Sequence, residues 1–348
     1  MSIFQGMGDY FALDIGTRSL RLVQLSRGAN DHWSLDKVGY LPVDQKIIAS
    51  DSAEGRKKLG QAIVNAMGQA GITAKNVVVG LPSNKTFTTV IEVPKMSASE
   101  LKSTLKYQAD QYIPMSLDDA KLDWAVLGDS PLSPNKQEVL LASTAQTYVE
   151  GLVEMIDTLG LNVIAAEPDP IAIARALIPA NTADTRMILD IGDTSTDIVV
   201  VMNGAPRLIR ALPMGLRTLV NAIVQNLNIK EDQAYQFIIK FGLAQDRLEG
   251  QVYRAIEGIL ENFAGELTKS VKFFQNKYAT AQITTVHLSG YAGVIPQFPQ
   301  YVTSKTGLRV EVTSPWSKVN ISDAARQKIA SVEFEYATAV GLAQRVEK

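Results

Sequence analysis

The sequence predicts an α/β protein of two duplicated lobes, with a small α+β subdomain inserted into the first. Three observations carry this expectation. The stretch Leu13-Asp14-Ile15-Gly16-Thr17-Arg18-Ser19 returns as Leu189-Asp190-Ile191-Gly192-Asp193-Thr194-Ser195. Apolar, strand-like runs alternate with helical patterns through most of the chain, as in α/β architecture. Between the two copies, residues 76–146 change texture, with short β-branched runs, one helix and Pro-flanked turns. A chain of 348 residues, 46% of them hydrophobic, is long enough for two domains with separate cores.

Each copy of the repeat follows an apolar run (Tyr10–Leu13; Met187–Leu189) and precedes another (Leu20–Leu25; Ile198–Met202), which reads as strand, tight turn, strand. The Gly lets the backbone bend and approach a ligand closely. Successive turn N–H groups, with Thr and Ser hydroxyls beside them, form an anion nest suited to phosphate oxygens. The Asp before each turn suits a hydrated Mg²⁺, which takes one or two protein carboxylates. One copy alone reads equally as an ordinary hairpin turn; two copies can grip a triphosphate from both sides.

After the first hairpin, Trp33–Val43 reads as a third strand. Asp51–Gly71 reads as a helix, with Ile63, Met67 and Ala70 at helical spacing and Gly68 and Gly71 near its end. In the inserted stretch, Val77–Val79 and Thr86–Val93 read as strands. Ser97-Ala98-Ser99-Glu100 has capping-box spacing and opens a helix through Leu101, Leu105, Ala109 and Tyr112 that ends at Ile113-Pro114. Leu122, Trp124 and Val126 alternate as a strand, and Glu138–Ser143 pairs back. Helix Tyr148–Leu159 and strand Asn162–Ala166 follow. Glu167-Pro168-Asp169-Pro170 then opens a helix of small residues, Ile171–Leu177. It is either a plain helix entry or a hinge that turns Glu167 toward whatever the hairpins hold.

In the second half, Arg207–Leu212 reads as a strand and Leu216–Leu227, Lys230–Phe241 and Glu249–Tyr278 as helices. The stripe Val252, Ile256, Ile259, Phe263, Leu267 and Val271 reads as core. Strand Thr284–Leu288 runs into Ser289-Gly290-Tyr291-Ala292-Gly293, a Gly-rich turn into a helix that can approach a base or ribose. The last helix, Glu333–Arg345, carries small residues suited to close packing.

Composition excludes several functions. Lys+Arg 34 against Asp+Glu 36, with no concentrated basic run, argues against nucleic-acid binding. Without cysteine there is no disulfide, thiolate metal site or cysteine nucleophile, which fits a cytoplasmic protein. Asp9 and Asp14 interrupt the only apolar stretch near the N-terminus, so no signal peptide is expected. No apolar run approaches the roughly 20 residues that span a bilayer. No direct membrane insertion is expected, and membrane association falls to a partner. His32 and His287 read as structural.

Hairpin, hinge helix, hairpin, Ser-Gly turn and small-residue helix stand in the order of phosphate, connecting and adenosine elements in the actin, heat-shock-chaperone and sugar-kinase ATPase superfamily. Within it, the chain resembles the PilM family, the cytoplasmic actin-like proteins of type IV pilus assembly. The resemblance is most specific from Gly80-Leu81-Pro82-Ser83 through Glu92-Val93-Pro94-Lys95-Met96-Ser97 to Gln108-Ala109-Asp110-Gln111-Tyr112-Ile113-Pro114. It implies an actin-like ATPase fold, with 1–75, 147–180 and the C-terminal helix 331–348 as the first lobe. Residues 76–146 are then a 1C-like partner-binding subdomain and 181–330 the second lobe.

The resemblance implies ATP and Mg²⁺ as cofactors. Asp14, Gly16, Thr17, Arg18 and Ser19 match the first phosphate loop; Asp190, Gly192, Asp193, Thr194 and Ser195 match the second. Asp14 and Asp190 would hold Mg²⁺ through water, Glu167 would stand near the metal or the attacking water, and Glu167 and Asp190 are the catalytic candidates. Glu266 and Lys269 match the segment that reaches ribose and base, and Ser289-Gly290 opens the adenosine turn. Two features depart from the pattern. Tyr291 replaces a Gly, which implies crowding of the base or stacking on it. Ala234-Tyr235-Gln236-Phe237-Ile238 lacks the usual charged pair.

The implied partner is the cytoplasmic N-terminal tail of a PilN-like inner-membrane protein, docked on the insert with Leu105, Tyr107, Tyr112 and Ile113 lining the groove or forming the module's own core. The protein would then lie at the inner face of the cytoplasmic membrane, with other pilus platform and motor components as further partners and oligomerisation open. Alternatives are an FtsA-like membrane-associated filament protein, a small-molecule kinase on the same fold, and a scaffold that has lost its nucleotide. Weak ATPase activity and binding without turnover both remain compatible with the sequence.

Overall fold

The computed structural model describes residues 9–28, 32–179 and 182–346. The expected lobe ends at residues 1, 180, 181 and 348 lie outside them. The chain divides into two compact units, one of Met1–Ala172, Lys318–Lys328 and Thr338–Lys348, the other of Ile173–Ser317 and Ile329–Ala337. The division falls inside the helix Asp169–Leu177.

Fourteen strands are described: β1 (Tyr10–Ile15), β2 (Ser19–Arg27), β3 (Trp33–Pro42), β4 (Asn76–Leu81), β5 (Thr86–Pro94), β6 (Ala120–Asp129), β7 (Lys136–Ala145), β8 (Asn162–Pro168), β9 (Thr185–Ile191), β10 (Thr196–Met202), β11 (Ala205–Leu212), β12 (Ile283–Gly290), β13 (Arg309–Val312) and β14 (Val319–Asn320). In the first unit they form a sheet in the order β14-β3-β2-β1-β4-β8, and in the second β11-β10-β9-β12-β13. The stretch β3-β2-β1-β4-β8 repeats the order of the second sheet. Both have two antiparallel pairings followed by two parallel ones. The duplication of the sequence motif is thus a duplication of topology.

In the first unit, Phe11, Leu13, Leu20 and Leu22 pack with Val77 and Val79 against Leu59, Ile63 and Ala66 of helix Ala53–Ala70. That helix begins where Ser52 Oγ accepts the Gly55 N–H and ends on Gly71 in the left-handed conformation (φ 67°), a position that favours Gly.

The insert is narrower than the expected 76–146: β4 lies in the first unit's sheet, paired with β1 and β8, and the module itself is a three-stranded antiparallel sheet, β5-β7-β6, covered by helix Ala98–Gln108. Ser97 and Glu100 form the expected capping box: the Ser97 N–H donates to Glu100 Oε2 at 2.8 Å, and the Glu100 N–H to Ser97 Oγ at 3.3 Å. Leu101 and Leu105 of the helix join Ile91, Val93, Val139 and Leu141 in the module's core. The α-helix stops at Gln108 and tightens into a 3₁₀ turn, Ala109–Gln111, before the expected end at Tyr112.

In the second unit, helices Leu216–Leu227, Glu231–Phe241 and Gln251–Lys277 contribute to one core with β9, β10 and β12. The buried stripe of the long helix runs through Val252, Ile256, Leu260, Phe263, Leu267 and Phe274, while Ile259 and Val271 are half-buried. Beyond β12 the chain makes a 3₁₀ turn, Tyr291–Gly293, and the next α-helix starts only at Phe298. The expected C-terminal helix is likewise shorter: a 3₁₀ turn, Glu333–Tyr336, then the helix Ala337–Ala343. Gly341 in that helix lies so close to the Ala172 carbonyl that a Cβ has no room.

Candidate functional site

The two repeated turns share one backbone geometry. The Gly16 N–H donates to Ser19 O at 3.0 Å, and the Gly192 N–H to Ser195 O at 2.9 Å. Each pair closes a two-residue turn, Thr17-Arg18 or Asp193-Thr194. Neither Gly has a positive φ, so left-handed backbone is not why Gly stands there. Space is the reason. A Cβ at Gly16 would fall on the Arg21 guanidinium, and one at Gly192 would lie 3.2 Å from Ser195 O.

The surroundings of the two turns differ. In the first, Arg21 stands directly opposite Asp14 in the antiparallel register. Its Nε donates to Asp14 Oδ2 at 2.7 Å and its Nη1 to Ser19 Oγ at 3.1 Å. Asp14 is 4% exposed, so this ion pair is largely desolvated. The Arg18 carbonyl accepts the Val43 N–H at 2.9 Å. In the second, the carbonyls of Gly192 and Asp193 accept the N–H groups of Leu216 and Arg217, at 3.0 and 2.8 Å. These are first-turn donors of helix Leu216–Leu227, which helix geometry leaves without intrahelical partners. Gly215 permits that contact, since a Cβ there would come within 2.6 Å of the Asp193 backbone. The Asp193 carboxylate is held by Arg217 Nη2 at 2.9 Å. Opposite Asp190 stands Asp197, not an arginine.

Glu167 lies near the end of β8, 6% exposed, with Arg345 Nη1 3.5 Å from its Oε1. The Tyr10 hydroxyl ties down the same C-terminal segment, 2.7 Å from Ala343 O and 2.9 Å from Arg345 O; its one proton serves one acceptor at a time.

Of the residues expected to serve ribose and base, Glu266 and Lys269 come together at 2.7 Å. Arg210 of β11 joins them, with Nη2 3.2 Å from Glu266 Oε2 and Nη1 donating to Ser270 Oγ at 2.8 Å. The Lys269 hydrogen bond, seconded by Arg210, holds the Glu266 carboxyl below the usual range. Ser289 is 3% exposed, and Gly290 has φ 61°, its missing Cβ making room for the Ile191 backbone. The expectation that Tyr291 crowds a base or stacks on it meets a different arrangement. Its ring is 9% exposed, belongs to the unit's core and packs 5.1 Å from the Phe334 ring. Burial first, then Glu335 and a hydrogen bond with Tyr235, push its hydroxyl far above the ordinary phenol range.

The four insert residues do not share one surface. Leu105 is 0% and Ile113 6% exposed, so both are core rather than groove lining. Tyr112 packs partly buried against the core, and Tyr107 stands 80% exposed. The module does contain a cleft of about 420 Å³ beside edge strand β6, walled by Leu117, Leu122 and Trp124 and rimmed by Lys102, Asp110 and Asp118.

Sequence reasoning missed Arg21, Arg210, Arg217 and Arg345. Arg21 had a signal, because counting outward from a two-residue turn places it across from Asp14. The other three come from segments remote in sequence, and no local pattern marks them. Among the described residues, no helix is long and apolar enough to cross a membrane.

Known proteins share this architecture. A family model described as type IV pilus assembly protein PilM matches residues 12–347. A solved PilM–PilN type IV pilus biogenesis complex is similar with a TM-score of 0.81 and 24% identity, covering 96% of this chain and 97% of that one. MreB5 of Spiroplasma citri bound to AMPPNP is similar with a TM-score of 0.52 and 12% identity, covering 96% and 95%. The cell division protein FtsA of Neisseria meningitidis serogroup B is 29% identical over 113 residues; the match takes in 32% of this chain and only 27% of that protein. The structural likenesses place the fold among the actin-like ATPases. With the family model spanning nearly the whole sequence, the chain belongs to the type IV pilus assembly protein PilM family.

Proposed function

We propose that the chain is an ATP-binding scaffold of the type IV pilus inner-membrane platform, cytoplasmic and held at the membrane's inner face by the N-terminal tail of a PilN-like protein. The observation that carries the nucleotide half is the duplicated turn. Two Gly-to-Ser closures of equal geometry set Thr17-Arg18 and Asp193-Thr194 at the tips of the turns, where backbone N–H groups and Thr hydroxyls suit phosphate oxygens. Asp190 would meet Mg²⁺ through water, and bound Mg²⁺ would neutralise phosphate charge. Glu167 would orient a water, while Glu266, Lys269, Ser289 and Gly290 would serve the ribose and base.

The partner half is supported by family membership and by the likeness to a PilM–PilN complex. Locally it is supported by the module of β5, β6, β7 and helix Ala98–Gln108, which holds an open cleft beside β6, an edge strand among the described residues, and an exposed aromatic, Tyr107. An apolar floor with a polar rim beside an unpaired edge suits an extended peptide.

Fluorescence anisotropy of a labelled PilN-like N-terminal peptide against the full chain tests this placement. Tyr107→Ala and Leu117→Asp should each weaken binding about tenfold, whereas Phe273→Ala, an exposed residue of the second unit, should leave it unchanged. Equal affinity for all three variants contradicts the placement.

A further inference from the structure

Among the described residues β6 is an edge strand of the insert's sheet, and it also walls the module's cleft. Backbone N–H groups along an edge strand point alternately to the neighbouring strand and outward. The Trp124 N–H donates to the carboxylate of the residue before it, Asp123 Oδ1, at 2.8 Å, so an outward donor of this edge is already taken. Side chains alternate between the two faces of a strand. Leu122 and Trp124 share the face that lines the cleft, and Val126, 51% exposed, is next on that face. Asp123 belongs to the other face and turns its carboxylate round the edge. On the rim of the cleft stand Asp110 and Asp118, both exposed, with one ammonium, Lys102. The Asp110 carboxylate is fixed there by the Leu117 N–H, which it accepts at 3.2 Å. Lys121, the cation on β6 itself, pairs with Glu150 at 3.1 Å. An apolar floor is thus bordered by three carboxylates, Asp110, Asp118 and Asp123, against Lys102.

A carboxylate seated on an outward N–H guards an edge, because any strand that adds there must displace it. A neutral or acidic strand leaves the displaced carboxylate without compensation, whereas a cationic strand gives it a partner. We propose that β6 is a guarded strand-addition edge with Asp123 as its gate, and that its occupant is an extended segment of a partner protein that alternates apolar residues with lysine or arginine. The alternation follows from pairing. A residue opposite Trp124 projects from Trp124's face, toward the apolar floor, and a residue opposite Asp123 projects beside the released carboxylate. Main-chain hydrogen bonds to β6 then supply affinity, and the two sets of side chains supply selectivity. Asp110 and Asp118 add attraction of the same sign from the rim. The identity of the protein that carries the segment rests on the partner reading above; the gate and the sign of the charge stand on β6 and the rim alone.

Fluorescence anisotropy on the full chain tests this with three labelled probes: a peptide alternating valine with lysine, the same peptide with glutamate in place of lysine, and a PilN-like N-terminal tail. The lysine peptide should bind about tenfold more tightly than the glutamate peptide at low salt, and added salt should narrow the gap. Asp123→Asn keeps an oxygen for the Trp124 N–H and removes the charge; it should weaken the lysine peptide about threefold. Asp123→Ala also frees the N–H, so it should bind the glutamate peptide more tightly than the unaltered chain does. Equal binding of the two designed peptides overturns the proposal, as does failure of the lysine peptide to bind or a preference that neither Asp123 variant changes. Tail binding that Leu117→Asp abolishes, but that salt and the Asp123 variants leave alone, keeps the tail in the cleft and overturns the gate. Discrimination between the designed peptides through Asp123, with no binding of the tail, supports the gate and overturns the partner reading for this cleft.

Discussion

Asp14 and Asp190 end equivalent strands, precede equivalent Gly-to-Ser turns and sit in sheets of the same order, yet their charges are met differently. Asp14 is neutralised by Arg21 on the adjacent strand. Asp190 faces Asp197, and Asp193 of the second turn is paired with Arg217 of the following helix. The turns are also braced differently, the first by a strand end through Val43, the second by a helix N-terminus through Leu216 and Arg217. A duplicated backbone therefore need not duplicate chemistry. One cross-strand position carries an arginine in the first hairpin and an aspartate in the second.

The largest way to break the comparison is Arg21→Ala. It leaves an almost fully buried carboxylate without its guanidinium, and the cost should be about 3 kcal/mol in chemical denaturation. Asp197→Asn removes a like charge from the second hairpin and should cost far less. Equal losses would mean that the two cross-strand positions do the same work. Next in size is the brace. Gly215→Ala pushes a methyl into the Asp193 backbone and should cost about 2 kcal/mol, and Gly16→Ala at least as much, because its methyl displaces the guanidinium held by Asp14 and comes 3.2 Å from Ser19 O. Thermal midpoints of the two variants measured side by side check the order.

These predictions divide along the line between what the sequence shows and what it hides. The repeat, the helix end at Gly71 and the capping box at Ser97 are local and could be read directly. The Gly residues of the repeat were legible, but their reason was not, because it is steric contact with Arg21 and Ser195 rather than a backbone angle. Tyr291 shows the limit more sharply. Its ring is placed by Phe334, over forty residues away in a segment whose 3₁₀ turn has no strong periodicity. Leu105 and Tyr107 are two residues apart and on opposite sides of a helix, a distinction that helical periodicity allowed but the motif alone did not draw.

The smallest expected effect concerns His287, two residues before Ser289 on β12. Burial, then Arg186, lower its pKa below the ordinary 6.5. The unfolded chain then binds the proton first as pH falls, so stability declines from about pH 6.5 downward until the folded ring also titrates. His287→Gln should flatten this part of the stability profile of the second unit, measured by denaturant midpoints between pH 7 and pH 5. No flattening would mean that another group carries the acid sensitivity.

The central claim is that the duplicated turns bind a nucleotide phosphate, and calorimetric titration of the full chain with ATP and Mg²⁺ tests it most directly. The account predicts saturable ATP binding that Arg21→Gln weakens. Absence of binding up to millimolar nucleotide would contradict it and leave the chain a scaffold that keeps the turns without their ligand.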